Sequence, residues 1–221
     1  MSESVAVYGN DTRSLAEQAY DRVEELIVTL QLPPGHAFSE GELAEQLGMG
    51  RTPLREALQR LAADRMVEIQ PRRGLSVTEI DAADYLNLLE TRRVLDRLVA
   101  EQAARRIAPA EQVALDECVT RIEQAAACLD TNAFLQADRV ADQLIEAAAR
   151  NPWASVAAAS LHVHCRRFWM VHEHRADMAH SAGLHANIFR AIAAADPEKA
   201  GQACDALIAY LVVFARETLD L

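Results

Sequence analysis

Lysine is almost missing from this sequence. Lys199 is the only lysine, so 21 of the 22 basic residues are arginines. The 33 acidic residues outnumber them and give a formal net charge of −11. This balance excludes a protein that is basic over its whole surface, so any contact with nucleic acid must be confined to a local patch.

Cysteine pairs and long apolar runs are missing as well. The four cysteines, Cys118, Cys128, Cys165 and Cys204, are widely spaced and form no CxxC pair. Such spacing is typical of reduced, mostly buried thiols in a cytosolic protein. The longest apolar run, residues 206–215, is about half the length that a membrane span needs. With no signal peptide recognised, we expect a soluble, cytoplasmic protein that has no membrane partner.

What is present is apolar content and one local excess of positive charge. Hydrophobic residues make up 51% of the 221 residues, which leaves room for one large or two modest domains. Residues 13–78 hold 8 basic and 10 acidic residues, but residues 51–73 hold 6 arginines and only 3 acids. A basic patch therefore lies on an acidic protein.

The basic patch begins with a short amphipathic helix. Its apolar positions recur at spacings of four and three: Leu54, Leu58 and Leu61. Arg51 and Arg55 lie off this stripe, Arg60 does so less directly, Thr52 can cap the helix, and Pro53 suits its first turn. A helix with a packed back and arginines near its N-terminus suits a DNA major groove. An ordinary surface helix with solvated arginines gives the same pattern, so the neighbouring segments must decide.

Two helices come before this one. Apolar residues at helical spacing predict a helix over residues 13–30, which the Pro-Pro-Gly turn at residues 33–35 ends. Ser39 then caps a second helix and forms a capping box with Glu42. This helix stops at Gly48, and a short turn leads into the arginine-bearing helix. Two short helices joined by a tight glycine-containing turn predict a helix-turn-helix.

A β-hairpin is predicted after the third helix. Residues 66–69 and 75–77 have a strand-like pattern, and residues 70–74 form a turn that carries Arg72 and Arg73. Beside a helix-turn-helix, such a hairpin is a wing that can lie along the DNA backbone or in the minor groove. The alternative is a turn whose two arginines are only solvated.

These motifs resemble those of a known family. The segment LQLPPGHAFSEGELAEQLGMGRTPLREALQRLAADRMVEIQPRRGLSV is similar to the winged helix-turn-helix of the GntR family of bacterial transcription regulators, in motif order and spacing. The resemblance implies that six residues contact operator DNA from the recognition helix and the wing: Arg51, Thr52, Arg55, Arg72, Arg73 and Gly74. Gly41 departs from relatives that carry a basic side chain there, which implies that one phosphate contact is missing.

The rest of the chain is predicted to be helical. No strand signal appears after Ile80, and apolar periods between breakers give six helices, at about 81–106, 109–128, 131–149, 152–172, 178–195 and 197–219. The predicted fold class is therefore mainly α: an N-terminal winged helix-turn-helix of three helices plus a hairpin, followed by an all-α six-helix bundle. We expect a disordered N-terminus at 1–12, a DNA-binding domain at 13–78, and an effector-binding and dimerisation domain at 79–221.

An all-helical domain after a GntR-type head resembles the FadR-type branch, which has an FCD effector domain. Six helices rather than seven are similar to its VanR-like subgroup. Three segments carry the likeness: the LETRRVLD run at residues 89–96, Asp138 with Asn151-Pro152 after it, and the LHANI run at residues 184–188.

The resemblance implies a divalent metal held by one Asp and three His, but the match is partial. Asp138 matches the Asp and His185 matches one His, whereas Asp142 and Leu207 stand where the other two His are expected. One reading is a weakened, oxygen-rich metal site of Asp138, Asp142 and His185. The other is an effector cavity that uses these residues without a metal.

Arg92 is the candidate clamp for an effector carboxylate, because a guanidinium binds a carboxylate through two hydrogen bonds. A structural ion pair of Arg92 with Glu90 or Asp96 is the alternative. The remaining histidines, among them His162 one helical turn before Arg166, show no strong zinc spacing. We interpret them as surface or cavity-lining residues.

The sequence thus indicates a ligand-responsive transcription regulator and not an enzyme. By resemblance it acts as a homodimer on a pseudo-palindromic operator and responds to a small organic acid. Repression is favoured over activation because most relatives repress. Two alternatives remain: a constitutive DNA-binding regulator with a decayed effector site, and a metal-dependent enzyme using Asp138, Asp142 and His185. The enzyme lacks any accompanying nucleophile motif.

Overall fold

The computed structural model describes residues 13–70 and 74–219. Within these residues the chain forms two compact units that divide between Thr78 and Glu79, and the short segment Val28–Leu30 groups with the second unit.

The first unit has three helices and a small sheet. Its elements are α1 (Leu15–Val28), β1 (Ala37–Phe38), α2 (Glu40–Leu47), α3 (Arg51–Ala63), β2 (Val67–Gln70) and β3 (Gly74–Val77). The sheet is antiparallel with the order β1-β3-β2, and Gln70 pairs with Gly74 in the hairpin. The predicted helix-turn-helix and hairpin are confirmed. The two-residue strand β1 was not predicted, because two residues are too few to show a period.

The predicted capping box at the start of α2 is confirmed. Ser39 Oγ accepts a hydrogen bond from the Glu42 amide at 3.2 Å, and the Glu42 carboxylate accepts one from the Ser39 amide at 3.3 Å. Gly48 ends the helix in the left-handed conformation, with φ of 63°. These two caps fix the length of α2 and bring the chain directly into α3.

The back of α3 is packed as the leucine spacing predicts. Leu54, Leu58 and Leu61 are no more than 2% exposed. The prediction that Thr52 caps this helix is wrong. The extended residue Gly50 is the N-cap and provides no side-chain cap, so the helix already begins at Arg51 and Thr52 lies inside its first turn.

Six α-helices form the second unit, as predicted. They are α4 (Ala82–Arg106), α5 (Pro109–Cys128), α6 (Thr131–Ala149), α7 (Pro152–Val171), α8 (Met178–Ala193) and α9 (Pro197–Thr218), with a 3₁₀ turn at Glu173–Arg175. Proline occupies the first turn of α5, α7 and α9, where its missing N–H costs no hydrogen bond. Among the described helices, none has the length and apolarity that a membrane crossing requires.

Helix α4 is central to the bundle and packs against α6, α7, α8 and α9. Aromatic side chains fill much of the space, and the Tyr85 ring stacks on that of Phe168 with centroids 3.9 Å apart. Several charged side chains are nevertheless buried between the helices: Arg92, Asp138, His162, Arg166 and Arg167. Buried charges require partners. Three of these five residues, Arg92, Asp138 and His162, line one cavity, and Arg166 contacts Asp138.

Candidate DNA-binding surface and effector cavity

The exposed face of α3 carries the three residues predicted to contact DNA from the recognition helix. Arg51, Thr52 and Arg55 are all exposed. For Arg51, the part of the chain that the structure describes offers neither a hydrogen bond nor an ion pair. The buried apolar face of α3 fixes the orientation of the helix. The Arg51 guanidinium is therefore exposed to solvent at the helix N-terminus.

Arg55 is held by Glu40, which the sequence did not reveal as part of this surface. Nε and Nη2 of Arg55 donate to the two carboxylate oxygens of Glu40 at 3.1 and 2.9 Å. These hydrogen bonds and the carboxylate charge raise the pKa of Arg55. The Arg55 side chain is still 64% exposed. The pair therefore orients the guanidinium without burying it.

Arg60 is directed elsewhere. Its guanidinium carbon lies 4.5 Å from the ring centroid of Tyr20 on α1, a cation–π contact. The Tyr20 hydroxyl donates to Asp64 at 2.9 Å. Arg60 thus helps to fasten α3 to α1, which accounts for its position off the arginine face.

Of the three predicted wing residues, Arg72 and Arg73 lie outside the described residues. Gly74 is exposed and begins β3 with φ of 93°. A side chain at this backbone conformation would be strained, although a Cβ would meet only the Phe38 carbonyl oxygen, at an ordinary 3.5 Å. Glycine is therefore required here by the hairpin, and DNA contact by Gly74 stays a prediction.

In the second unit, helices α4, α6, α7, α8 and α9 enclose a cavity of about 40 Å³. All four predicted effector residues line it: Arg92, Asp138, Asp142 and His185. Leu207, which stands where a fourth ligand is expected, is also in the wall and is 3% exposed. A space of this size holds a water molecule or an ion without rearrangement, but not a larger effector.

His162 links three carboxylates in this cavity. Its Nε2 lies 2.9 Å from Asp96 Oδ1, and its Nδ1 lies 3.0 Å from Asp142 Oδ2 and 3.6 Å from Glu146 Oε1. Burial alone would lower the pKa of His162, but the charges of Asp142 and Asp96 raise it well above its usual value. The two flanking carboxylates therefore favour the protonated ring, the imidazolium.

The three carboxylic acids around His162 have pKa shifts of opposite sign. Burial opposes ionisation of Asp142, yet His162 and Arg166 hold the pKa of Asp142 below its usual value. The pKa of Asp96 is also lowered, since Arg92 and His162 outweigh the effect of burial. The pKa of Glu146 is raised because burial dominates there. These pKa shifts favour the ionised form of Asp96 and Asp142 and the protonated form of Glu146.

Arg166 completes the network between α6 and α7. Its Nη1 lies 2.8 Å from Asp142 Oδ2 and 3.4 Å from Asp138 Oδ2. His185 Nε2 lies 3.3 Å from Asp138 Oδ1, while His185 Nδ1 lies 2.8 Å from the Ser181 carbonyl oxygen, to which its N–H donates. Asp138 and Asp142 therefore face a permanent guanidinium.

The structure pairs Arg92 with Asp96, one of the two alternatives that the sequence left open. Nε and Nη2 of Arg92 lie 2.9 and 2.8 Å from Asp96 Oδ2, and Arg92 is 7% exposed. Burial opposes its charge, but Asp96 raises the pKa of Arg92 well above the usual value. An effector carboxylate that replaced Asp96 would bind the same Nε and Nη2 atoms of Arg92.

The residues present do not fit the predicted metal site. Among the described residues, no group of three or more His, Cys, Asp or Glu side chains is placed to hold a metal ion. Asp138 and Asp142 turn their oxygens toward Arg166, and Leu207 offers no donor atom. Three further residues belong to the site: Glu146, which the sequence did not single out, Asp96, named only as an alternative partner of Arg92, and Arg166, named only for its spacing from His162. The only available signal was their spacing of one helical turn from Arg92, Asp142 and His162.

Comparison with known proteins agrees with both halves of this description. Residues 15–77 match the gntR family of bacterial regulatory proteins, and residues 87–210 match the FCD domain. An HTH-type transcriptional regulator in an unstable DNA locus of Streptomyces ambofaciens is 30% identical over 182 residues, which cover 81% of this chain and 71% of that protein. The HTH-type transcriptional repressor RspR of Escherichia coli (strain K12) is 31% identical over 108 residues, 49% of this chain and 47% of RspR.

Solved structures show the same fold. E. coli McbR/YncC has a TM-score of 0.82 at 20% identity and covers 94% of this chain and 100% of that one. A putative GntR transcriptional regulator from Rhodococcus sp. RHA1 has a TM-score of 0.70 at 21% identity, with 94% and 99% covered. The family consists of DNA-binding transcription regulators and not of enzymes. The chain belongs to the GntR family of bacterial transcription regulators and carries the FCD domain.

Proposed function

We propose that this regulator is a ligand-responsive repressor that binds a pseudo-palindromic operator as a homodimer. The observation that carries the proposal is the exposed N-terminal face of α3, where Arg51 is unpaired within the described residues and Arg55 is oriented by Glu40. Arginines so placed can reach guanine edges and phosphates in the major groove. Similarity to RspR, which is named a repressor, supports repression.

Two-fold assembly follows from the demands of DNA recognition. A single winged head makes few base contacts, and two-fold symmetric proteins read two-fold symmetric sites. The helical unit has apolar surface available for a partner: Val94 and Val213 are 69% and 53% exposed. Light scattering should give about twice the chain mass of 24.3 kDa without DNA. A monomer at micromolar concentration would contradict the proposal.

The effector, by resemblance a small organic acid, would enter the cavity by carboxylate exchange. Arg92 is already bound to Asp96, and Asp96 also contacts His162. An incoming carboxylate that replaces Asp96 on Arg92 would loosen the link between α4 and α7. The ligand would then favour a second arrangement of the helices, which is the condition for allosteric control.

A constitutive DNA-binding regulator is the second candidate. It is favoured by the small cavity and by the pairing of Arg92 and Arg166 with carboxylates. Thermal-shift measurements with a panel of organic acids separate the two candidates. A saturable rise in melting temperature that is lost in Arg92→Ala supports a ligand response, whereas no response to any acid supports constitutive binding.

DNA binding is tested with three variants and one control. Arg51→Ala and Arg55→Ala should each weaken operator binding by about 1–3 kcal/mol if these residues read bases. Arg72→Ala should weaken binding to all sequences evenly if it contacts phosphate. Arg105→Ala, an exposed arginine of α4, is the control and should have no effect. Unchanged gel-shift affinity in all three head variants, with the fold intact, would refute the assignment.

A further inference from the structure

Two carboxylates of the cavity wall in the helical unit already contact a cation, where the family resemblance implies a metal. We propose that the Arg166 guanidinium, bound to Asp138 and Asp142, takes the place of a divalent ion and makes the regulator independent of metal. The inference rests on the proposed function only in so far as it concerns regulation. Its central claim concerns Arg166, Asp138 and Asp142.

The distances carry the first step. Nη1 of Arg166 is the atom that two carboxylate oxygens share, 2.8 Å from Asp142 and 3.4 Å from Asp138. A divalent ion would need the same oxygens at about 2.0–2.6 Å. The guanidinium nitrogen and a metal ion cannot both occupy this position. Two positive charges so close together would also repel strongly away from bulk water.

Arg166 and the two carboxylates that it contacts are largely buried, so its positive charge compensates theirs away from water. Its side chain is 8% exposed, and those of Asp138 and Asp142 are 12% and 19% exposed. Carboxylates removed from water need a compensating charge. The compensating charge belongs to a side chain of α7. It is therefore present whatever the concentration of metal ions.

The nitrogen ligands are also committed or missing. Both ring nitrogens of His162 lie within 3.0 Å of carboxylates of Asp96 and Asp142. His185 has one nitrogen on the Ser181 carbonyl and the other 3.3 Å from Asp138. Leu207 closes the remaining wall. His162 and His185 line the same cavity as Asp138 and Asp142, yet within the described residues no three such side chains are placed to hold a metal ion.

This arrangement leads to a gain-of-function test. Removal of the guanidinium should leave two carboxylates with too little positive charge and a space beside them. Arg166→Ala should therefore acquire affinity for a hard divalent ion, which oxygen ligands prefer. Arg166→Lys keeps the positive charge and should remain metal-free. Arg121→Ala removes an exposed arginine of α5 that lies outside this network, and is the matched control.

The experiment is a titration with MnCl₂ of full-length proteins that have been dialysed against a chelator. Free Mn²⁺ is followed by electron paramagnetic resonance, and melting temperature is recorded in parallel. Wild type, Arg166→Lys and Arg121→Ala should show no saturable binding. Arg166→Ala should bind Mn²⁺ saturably and should gain melting temperature as Mn²⁺ is added.

Two results would overturn the proposal. The first is stoichiometric Mn²⁺ or Zn²⁺ binding by wild type that Asp138→Asn abolishes; this measurement decides even if Arg166→Ala does not fold. The second is an Arg166→Ala protein with native circular dichroism that binds Mn²⁺ no better than wild type. Operator binding by wild type with and without chelator should be identical. Failure to bind any operator would refute the proposed function and leave the metal titration valid.

Discussion

Nε2 of His162 on α7 lies 2.9 Å from Oδ1 of Asp96 on α4. The other ring nitrogen of His162 lies 3.0 Å from Asp142 on α6. A neutral imidazole has one N–H, whereas the imidazolium has two and can face both carboxylates. One ring therefore joins three helices of the helical unit.

We expect His162 to stay protonated at pH values where ordinary histidines are neutral. Burial disfavours this charge, but Asp142 and Asp96 raise the pKa of His162 well above its usual value. His172 is an internal reference, because burial and the charges of His174 and Arg175 lower its pKa. A pH titration followed by histidine-ring NMR should show His172 losing its proton at lower pH than an ordinary histidine and His162 at higher pH. A His162 that titrates together with His172 would contradict the network.

The same charge has a consequence for stability. Because the pKa of His162 is raised on folding, its stabilisation is complete below the unfolded value of about 6.5 and is lost as pH rises through the folded value. The lowered pKa values of Asp96 and Asp142 affect stability at acidic pH. There the free energy of unfolding falls as these two carboxylates become protonated. The free energy of unfolding of wild type, measured with urea, should therefore fall as pH rises above neutral. His162→Gln should abolish most of this alkaline dependence.

The helices of the second unit could be predicted because their signals are local. Pro109, Pro152 and Pro197 each stand in a first turn, and Asn151 and Asp196 cap α7 and α9 through their side chains. The cap Ser39 and its partner Glu42 are three residues apart. Signals of this kind lie within one helical turn, so a single sequence contains all the information that they need.

The partners in the site could not be predicted because they are distant in sequence. Asp96 and His162 are 66 residues apart, Asp138 and Arg166 are 28 apart, and Glu40 and Arg55 are 15 apart. Helical periodicity shows which face a residue occupies, but not which side chain faces it from another helix. Spacing could not decide the metal alternative for the same reason: Asp138 and His185 match by spacing, while Arg166, which contacts Asp138, lies outside every metal pattern.

The capping box of α2 should contribute measurably to the stability of the DNA-binding unit. Ser39→Ala removes the acceptor for the Glu42 amide and should destabilise this unit by about 0.5–2 kcal/mol. Hydrogen exchange of amides in α2 and α3 measures the effect. Ser160→Ala, on α7 of the other unit, is the control and should leave these amides unchanged. Equal protection in Ser39→Ala and wild type would show that the cap contributes little.

Glu40 should tune DNA specificity through Arg55. Glu40→Gln removes a negative charge from the exposed face and weakens the bidentate pair that orients Arg55. Non-specific DNA should then bind more tightly because phosphate is no longer repelled, while the ratio of specific to non-specific affinity should fall because Arg55 is less well oriented.

The control for this charge change is Glu45→Gln, an exposed position later in the same helix. Fluorescence anisotropy on operator and scrambled duplexes should show the loss of specificity only in Glu40→Gln. If both variants shift specific and non-specific binding by the same factor, Glu40 acts only through its charge and does not orient Arg55.

Gly41 offers a site where a DNA contact can be added. It is the second residue of α2, and a Cβ there would meet only the Arg51 guanidinium, at an ordinary 3.9 Å. Gly41→Lys would place a second cation beside Arg51 on the exposed surface. We expect tighter binding to all DNA sequences, because a phosphate contact adds affinity without reading bases. The slope of log affinity against log salt should steepen by about 0.9, the value for one additional phosphate.

Gly183→Lys is the matched control for this change. Gly183 lies in α8 of the helical unit and has nothing within 4 Å of its Cβ position, so the substitution adds the same charge without steric conflict. It should leave the salt slope unchanged. Anisotropy titrations at four salt concentrations, on operator and scrambled duplexes, give both quantities. A Gly41→Lys protein with the wild-type slope would mean that the start of α2 does not face the phosphate backbone. The docking of α3 through Arg51 would then need a different orientation, because Gly41 and the Arg51 guanidinium are neighbours.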